Sequence, residues 1–141
     1  MNIDQIKSKI TNHLQPLTGI AAVYLFGSIA KGSTRAGSDI DIAILFKNEN
    51  KNKMDRFERR LDLEIELEKE IGIPVDVVDL ETAQPVLQHQ IRKHGKLILE
   101  KDHSYRVRFE VASRRRYFDM LRVYRRRNAI LLKNLGANNH G

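Results

Sequence analysis

Residues 26–45 read Phe-Gly-Ser-Ile-Ala-Lys-Gly-Ser-Thr-Arg-Ala-Gly-Ser-Asp-Ile-Asp-Ile-Ala-Ile-Leu, and no other stretch limits the fold as much. The segment opens as the tail of an apolar strand and breaks at Gly27-Ser28. It then crosses a small-residue loop containing Gly32 and Gly37 and re-enters a strand carrying Asp39 and Asp41. Strand side chains alternate between faces, so Asp39 and Asp41 share one face and Ile40, Ile42 and Ile44 the other. Two carboxylates side by side on an apolar strand repel each other and desolvate poorly, so a cation must offset them. A divalent metal suits that role. The Gly-Ser turn upstream can offer backbone N–H groups and a hydroxyl to phosphate. Together these parts predict a site for a metal and a nucleotide.

The rest of the chain supplies a scaffold for that loop. Ile3, Ile6, Ile10, Leu14 and Leu17 recur at steps of three and four, which predicts an amphipathic helix over 2–17, capped by Asn2 and ended near Pro16. Residues 20–26 form a short apolar run suited to a buried strand, and 38–46 form the second strand. A short helix is expected to open at Ser28–Lys31. Residues 47–53 are polar and predict an exposed loop. A charged helix follows over 54–71, with Met54, Phe57, Leu61 and Ile65 as its apolar stripe and Leu63, Leu67 and Ile71 widening it. Gly72 and Pro74 stop it. Residues 75–78 predict a third strand, and Thr82 is a candidate cap for a helix over 83–94. Residues 96–99 predict an edge strand. From 103 to 135 there is neither Gly nor Pro, which predicts one long helix, broken at most once, with residues 136–141 frayed.

At 141 residues the chain can bury a core as one domain. It has no cysteine, which excludes disulfides and thiolate zinc sites. The five histidines show no metal-ligand spacing on a common element. The opening residues lack a signal-peptide pattern and no apolar run approaches a membrane span, so a cytoplasmic protein is expected. The net charge of +7 is unevenly placed. Residues 1–103 hold 15 Lys and Arg against 16 Asp and Glu, whereas residues 104–141 hold 10 against 2. A near-neutral body therefore carries a strongly basic C-terminal segment. Arg114–Arg116 and Arg125–Arg127, interleaved with Tyr117, Phe118, Leu121 and Tyr124, combine the residue types favoured at protein interfaces. A solvated helix face and a nucleic-acid surface are the other readings.

Gly-Ser, ten residues, then Asp-x-Asp between two strands resembles the signature of the DNA polymerase β-type nucleotidyltransferase superfamily. Within it, residues 2–100 resemble the minimal nucleotidyltransferases (MNT). The resemblance implies an α+β fold, with helices packed on a small mixed β-sheet. Residues 1–101 would form that domain, and 102–141 a basic helical extension. It implies that Asp39, Asp41 and a third carboxylate hold two Mg²⁺ ions on a nucleoside triphosphate. Asp76, surrounded by valines, fits the third position, with Asp79 as competitor in a turn or capping role. Gly27 and Ser28 would receive the phosphates, with Lys31 and Arg35 as further candidates. Small chains of this kind resemble MNT antitoxins, which transfer AMP from ATP to a tyrosine hydroxyl of a cognate HEPN-domain RNase toxin. A hetero-oligomer is thereby implied, with a homodimer as the state alone. Stoichiometric neutralisation of the partner, and nucleotidyl transfer to a small molecule or RNA, are the alternative functions.

Overall fold

In a computed structural model, residues 1–30, 39–47 and 51–139 are described, with only the backbone of 136–139. The first helix, α1 (Ile3–Leu14), begins with reciprocal bonds between Asn2 and Gln5, so two end donors are satisfied at once. It buries Ile6, Ile10 and Leu14, the face expected from their spacing. Strands β1 (Ile20–Phe26) and β2 (Ile40–Phe46) are buried along nearly their whole length. Helix α2 (Lys53–Ile71) ends at Gly72, whose φ of 78° requires glycine-like freedom. Then follow β3 (Val75–Asp79), α3 (Pro85–His94), β4 (Lys96–Glu100) and α4 (His103–Asn139).

The strands form one mixed sheet in the order β3-β2-β1-β4. β2 pairs antiparallel with β1 and parallel with β3, while β4 pairs antiparallel with β1. α1 and α2 cover one face, where Ile10, Leu14, Leu25, Ile42, Ile44 and Leu67 lose all contact with water. Each such side chain contributes about 1.5–3 kcal/mol through burial. α3 and the first turns of α4 cover the other face, around Tyr24, Ala43, Leu45, Leu80, Ile91 and Phe109.

Four expectations need correction. α2 buries Leu63, Leu67 and Ile71, whereas Met54, Phe57, Leu61 and Ile65 are each 42–63% exposed. The helix carries two apolar rows, and contact with β3 decides which one turns inward. The cap of α3 is Gln84, with Pro85 in its first turn, rather than Thr82. Asp79 is neither a turn nor a capping residue. It is buried and accepts two hydrogen bonds from Arg56, 2.7 Å from Nε and 2.9 Å from Nη2. Lastly, α4 is unbroken and continues past Leu135 to Asn139.

The outer edge of β3 is closed by α2. Glu64 accepts a hydrogen bond from the Val77 N–H (2.9 Å) and Glu68 from the Val75 N–H (3.0 Å). Two carboxylates one helical turn apart thus satisfy alternate free donors of an edge strand. α4 is joined to the domain through polar contacts. Ser113 donates to Gln88 (2.7 Å), Gln88 donates to the Leu80 carbonyl (2.8 Å), and Tyr24 donates to Glu110 (2.6 Å). The His89 and Tyr117 rings stack at 3.8 Å. Beyond Leu121 the packing ends, and every residue from Arg122 to Leu135 is exposed.

Candidate active site

The end of β1 and the starts of β2 and β3 meet at one end of the sheet. In the ladders, Phe26 lies opposite Asp41, and Asp41 lies opposite Asp76. Paired residues on neighbouring strands share a face, so both carboxylates stand on the α3/α4 side while Ile40 and Ile42 point into the core beneath α1 and α2. Asp39 sits one residue ahead of β2, not within a strand beginning at 38. The register explains the difference: Ile40 donates to the Pro74 carbonyl at 2.9 Å, and Pro74 has no N–H with which to extend the ladder.

Gly27 turns the chain immediately after β1, with φ of 75°. A Cβ at this position would lie 2.4 Å from Asp41 Oδ2. The glycine therefore leaves room for the carboxylate as well as permitting the turn. Ser28 is exposed on that turn, while Ile29 and Ala30 behind it are buried. Lys31, Arg35 and the rest of the expected helix after Ala30 lie outside the described residues.

The electrostatics follow from this crowding. Burial first, then the charge of Asp76 and that of Asp39, push the Asp41 carboxyl above its ordinary value. Among the described residues no cation pairs with any of the three. Their oxygen donors suit a hard divalent ion such as Mg²⁺, whose charge would offset the repulsion. Among the described residues, no group of three or more His, Asp or Glu side chains is gathered closely enough to hold a metal as it stands.

Asp79 stays out of this group because, three residues after Asp76, it faces the opposite side of β3, where Arg56 binds it. The residues that hold β3 in place, Arg56, Glu64 and Glu68, were not foreseen from the sequence. Their spacings of eight and four were visible, yet the same spacings describe an ordinary solvated face.

The family model described as polymerase beta, nucleotidyltransferase matches residues 8–104. The chain is 38% identical over 74 residues to a protein adenylyltransferase, MntA, of Shewanella oneidensis. That match covers 52% of this chain and 50% of the relative, so the chain spans about half the length of MntA. Among solved structures it is similar to a chain of a toxin–antitoxin crystal structure with AMP-PNP. The TM-score is 0.69 and the identity 28%, over 89% of this chain and 94% of the other. It is also similar to a chain in a structure of the tri-AMPylated Shewanella oneidensis HEPN toxin with its MNT antitoxin. There the TM-score is 0.66 and the identity 26%, over 92% and 95% of the two chains. The chain belongs to the polymerase β-type nucleotidyltransferase family.

Proposed function

We propose that this chain is a Mg²⁺-dependent antitoxin that transfers AMP from ATP to a tyrosine hydroxyl of a cognate HEPN-domain RNase toxin. The observation that carries this reading is the pairing of Asp41 with Asp76 beside Gly27. It sets two hard-oxygen donors on one face beside a turn suited to phosphates. The names of the relatives, an adenylyltransferase and an antitoxin bound to an AMPylated toxin, support AMP as the group moved and a toxin as its acceptor.

Asp39, Asp41 and Asp76 would hold two Mg²⁺ ions, which when bound neutralise the triphosphate and stabilise charge on the entering and leaving oxygens. Gly27 admits the phosphates close to the backbone, and the exposed Ser28 hydroxyl donates to a phosphate oxygen. Lys31 and Arg35 are the further candidates for phosphate contact. The tyrosine oxygen attacks the α-phosphorus, the bond to the bridging oxygen breaks, and pyrophosphate leaves. Asp76, exposed at the edge of the group, helps accept the proton of the attacking hydroxyl. All three carboxylates act ionised, so activity falls in acid. In the metal-free chain the raised Asp41 holds its proton to a higher pH than an ordinary aspartate, so protons compete with the metal there.

Residues 1–101 then form the transferring unit in the cytoplasm, and 102–141 the part that docks the partner in a hetero-oligomer. The test is to mix the protein with ATP, Mg²⁺ and the HEPN protein encoded beside it, and to measure the intact mass of the latter. The expected gain is one AMP per modified tyrosine, abolished by Asp39→Ala with Asp41→Ala. No gain, or an undiminished gain in the variant, refutes the reading. The exposed arm after Leu121 favours a second reading, neutralisation by binding alone. That reading prevails if the aspartate variant still silences the toxin while substitutions on the arm do not.

A further inference from the structure

A groove of about 510 Å³ lies between α2 and α3 at the edge of the sheet, and nothing in the chemistry above uses it. Phe57, Val78 and Leu87 supply its apolar lining, with Lys53 and Arg60 among its charged residues. Val78 follows Asp76 by two residues on the same face of β3, so the groove begins roughly 6–7 Å along the strand from the candidate site. Phe57 is 49% exposed, and Met54 and Leu61 continue its row along α2 at 63% and 42%. This is the apolar stripe that the core leaves uncovered.

We propose that this groove seats the acceptor segment of the partner: a tyrosine-bearing stretch with an apolar side chain for the pocket and acidic residues for its rim. The inference rests on the AMP-transfer reading above. Charge selects the occupant. Arg56 is committed to Asp79 and Glu81, but among the described residues no carboxylate pairs with Lys53 or Arg60. The arm of a second copy fits poorly, because residues 122–135 carry five Lys and Arg and no acid. Nucleic acid fits poorly as well, since Phe57, Val78 and Leu87 give the groove an apolar lining that a phosphate backbone cannot fill. A segment held over Phe57 and Val78 brings its hydroxyl to Asp76, the residue assigned to receive its proton.

The full chain is assayed with ATP, Mg²⁺ and the neighbouring HEPN protein, beside a Lys53→Glu, Phe57→Ala, Arg60→Glu variant. None of these side chains is buried in the core, so folding is preserved. The expected result is an acceptor KM raised at least tenfold, with the KM for ATP and kcat within twofold of the parent. In parallel, p-benzoylphenylalanine replaces Phe57, and crosslinks are mapped by mass spectrometry. A crosslink to a tyrosine-bearing acidic segment of the partner supports the proposal. An unchanged acceptor KM, or a crosslink only between copies of this chain, overturns it while leaving AMP transfer intact. Absence of transfer by the parent overturns the functional reading and this inference with it.

Discussion

Replacing Gly27 by alanine separates two roles that one glycine performs. Its φ of 75° costs an alanine about 1–2 kcal/mol, because the added Cβ approaches the neighbouring carbonyl. Gly72 has nearly the same φ, 78°, but a Cβ there meets nothing within 4 Å. Gly72→Ala therefore measures the backbone cost alone. At Gly27 the new methyl would also stand 2.4 Å from Asp41 Oδ2, closer than real contacts allow. Asp41 must leave its rotamer, at about 0.5–1.5 kcal/mol, or β2 must shift. Gly27→Ala should thus cost about 2–3 kcal/mol against 1–2 for Gly72→Ala. The gap should appear as a further fall of a few °C in the melting temperature. The larger difference should be in AMP transfer. A displacement near 1 Å at a reacting group can cost on the order of 10²-fold in rate, so Gly27→Ala should lose about that much and Gly72→Ala almost none. Thermal melts and initial rates at saturating ATP measure both. Equal rates for the two variants would refute the claim that Gly27 is required by Asp41.

Asp41→Asn should abolish transfer yet stabilise the metal-free protein. Two charges about 5 Å apart repel by roughly 1–3 kcal/mol, and exposure of Asp39 and Asp76 to water places the gain near 1 kcal/mol. The sign follows from Asp41's raised value: the native chain holds this proton more tightly than the unfolded chain, so its contribution to stability is lost as pH rises from about 4 upward. Melting curves in EDTA across that range should show a shallower decline in the variant, and an unchanged profile would contradict the electrostatic account. Arg56→Met should destabilise by about 3 kcal/mol, since it leaves the buried Asp79 carboxylate unpaired, and Asp79→Asn in the same background should recover part of the loss. Denaturant unfolding of the three proteins measures this, and a cost under 1 kcal/mol would show the pair to be unimportant.

The parts legible in the sequence were those set by local patterns. The apolar runs 20–26 and 38–46 read as buried strands, the second starting two residues later in the structure, and the steps from Ile6 to Leu14 read as one buried helix face. The motif from Gly27 to Asp41 pointed to the family because its residue types and spacing are unusual together. What stayed hidden depended on distant pairing. Leu63, Leu67 and Ile71 have the same helical period as Met54, Phe57, Leu61 and Ile65, so period alone could not choose between the rows. Asp79 found its partner 23 residues upstream. The register that sets Asp41 against Asp76 arises from a parallel pairing across α2, which no local signal encodes.

β3 shows how one short strand separates chemistry from recognition. Its first acid, Asp76, faces the candidate site, while its last, Asp79, is spent on holding α2 through Arg56. Glu64 and Glu68 occupy two of the free donors on its outer edge, so a partner cannot simply add a strand there. The proposed recognition along this edge therefore uses side chains on α2 and α3, which present Phe57, Lys53, Arg60 and Leu87. The same carboxylates fix the height of β3 relative to β2, and with it the opposition of Asp76 to Asp41. On the proposed docking, sequence changes on the exposed row of α2 would alter which acceptor is chosen while the bonds of Glu64 and Glu68 keep Asp76 opposite Asp41.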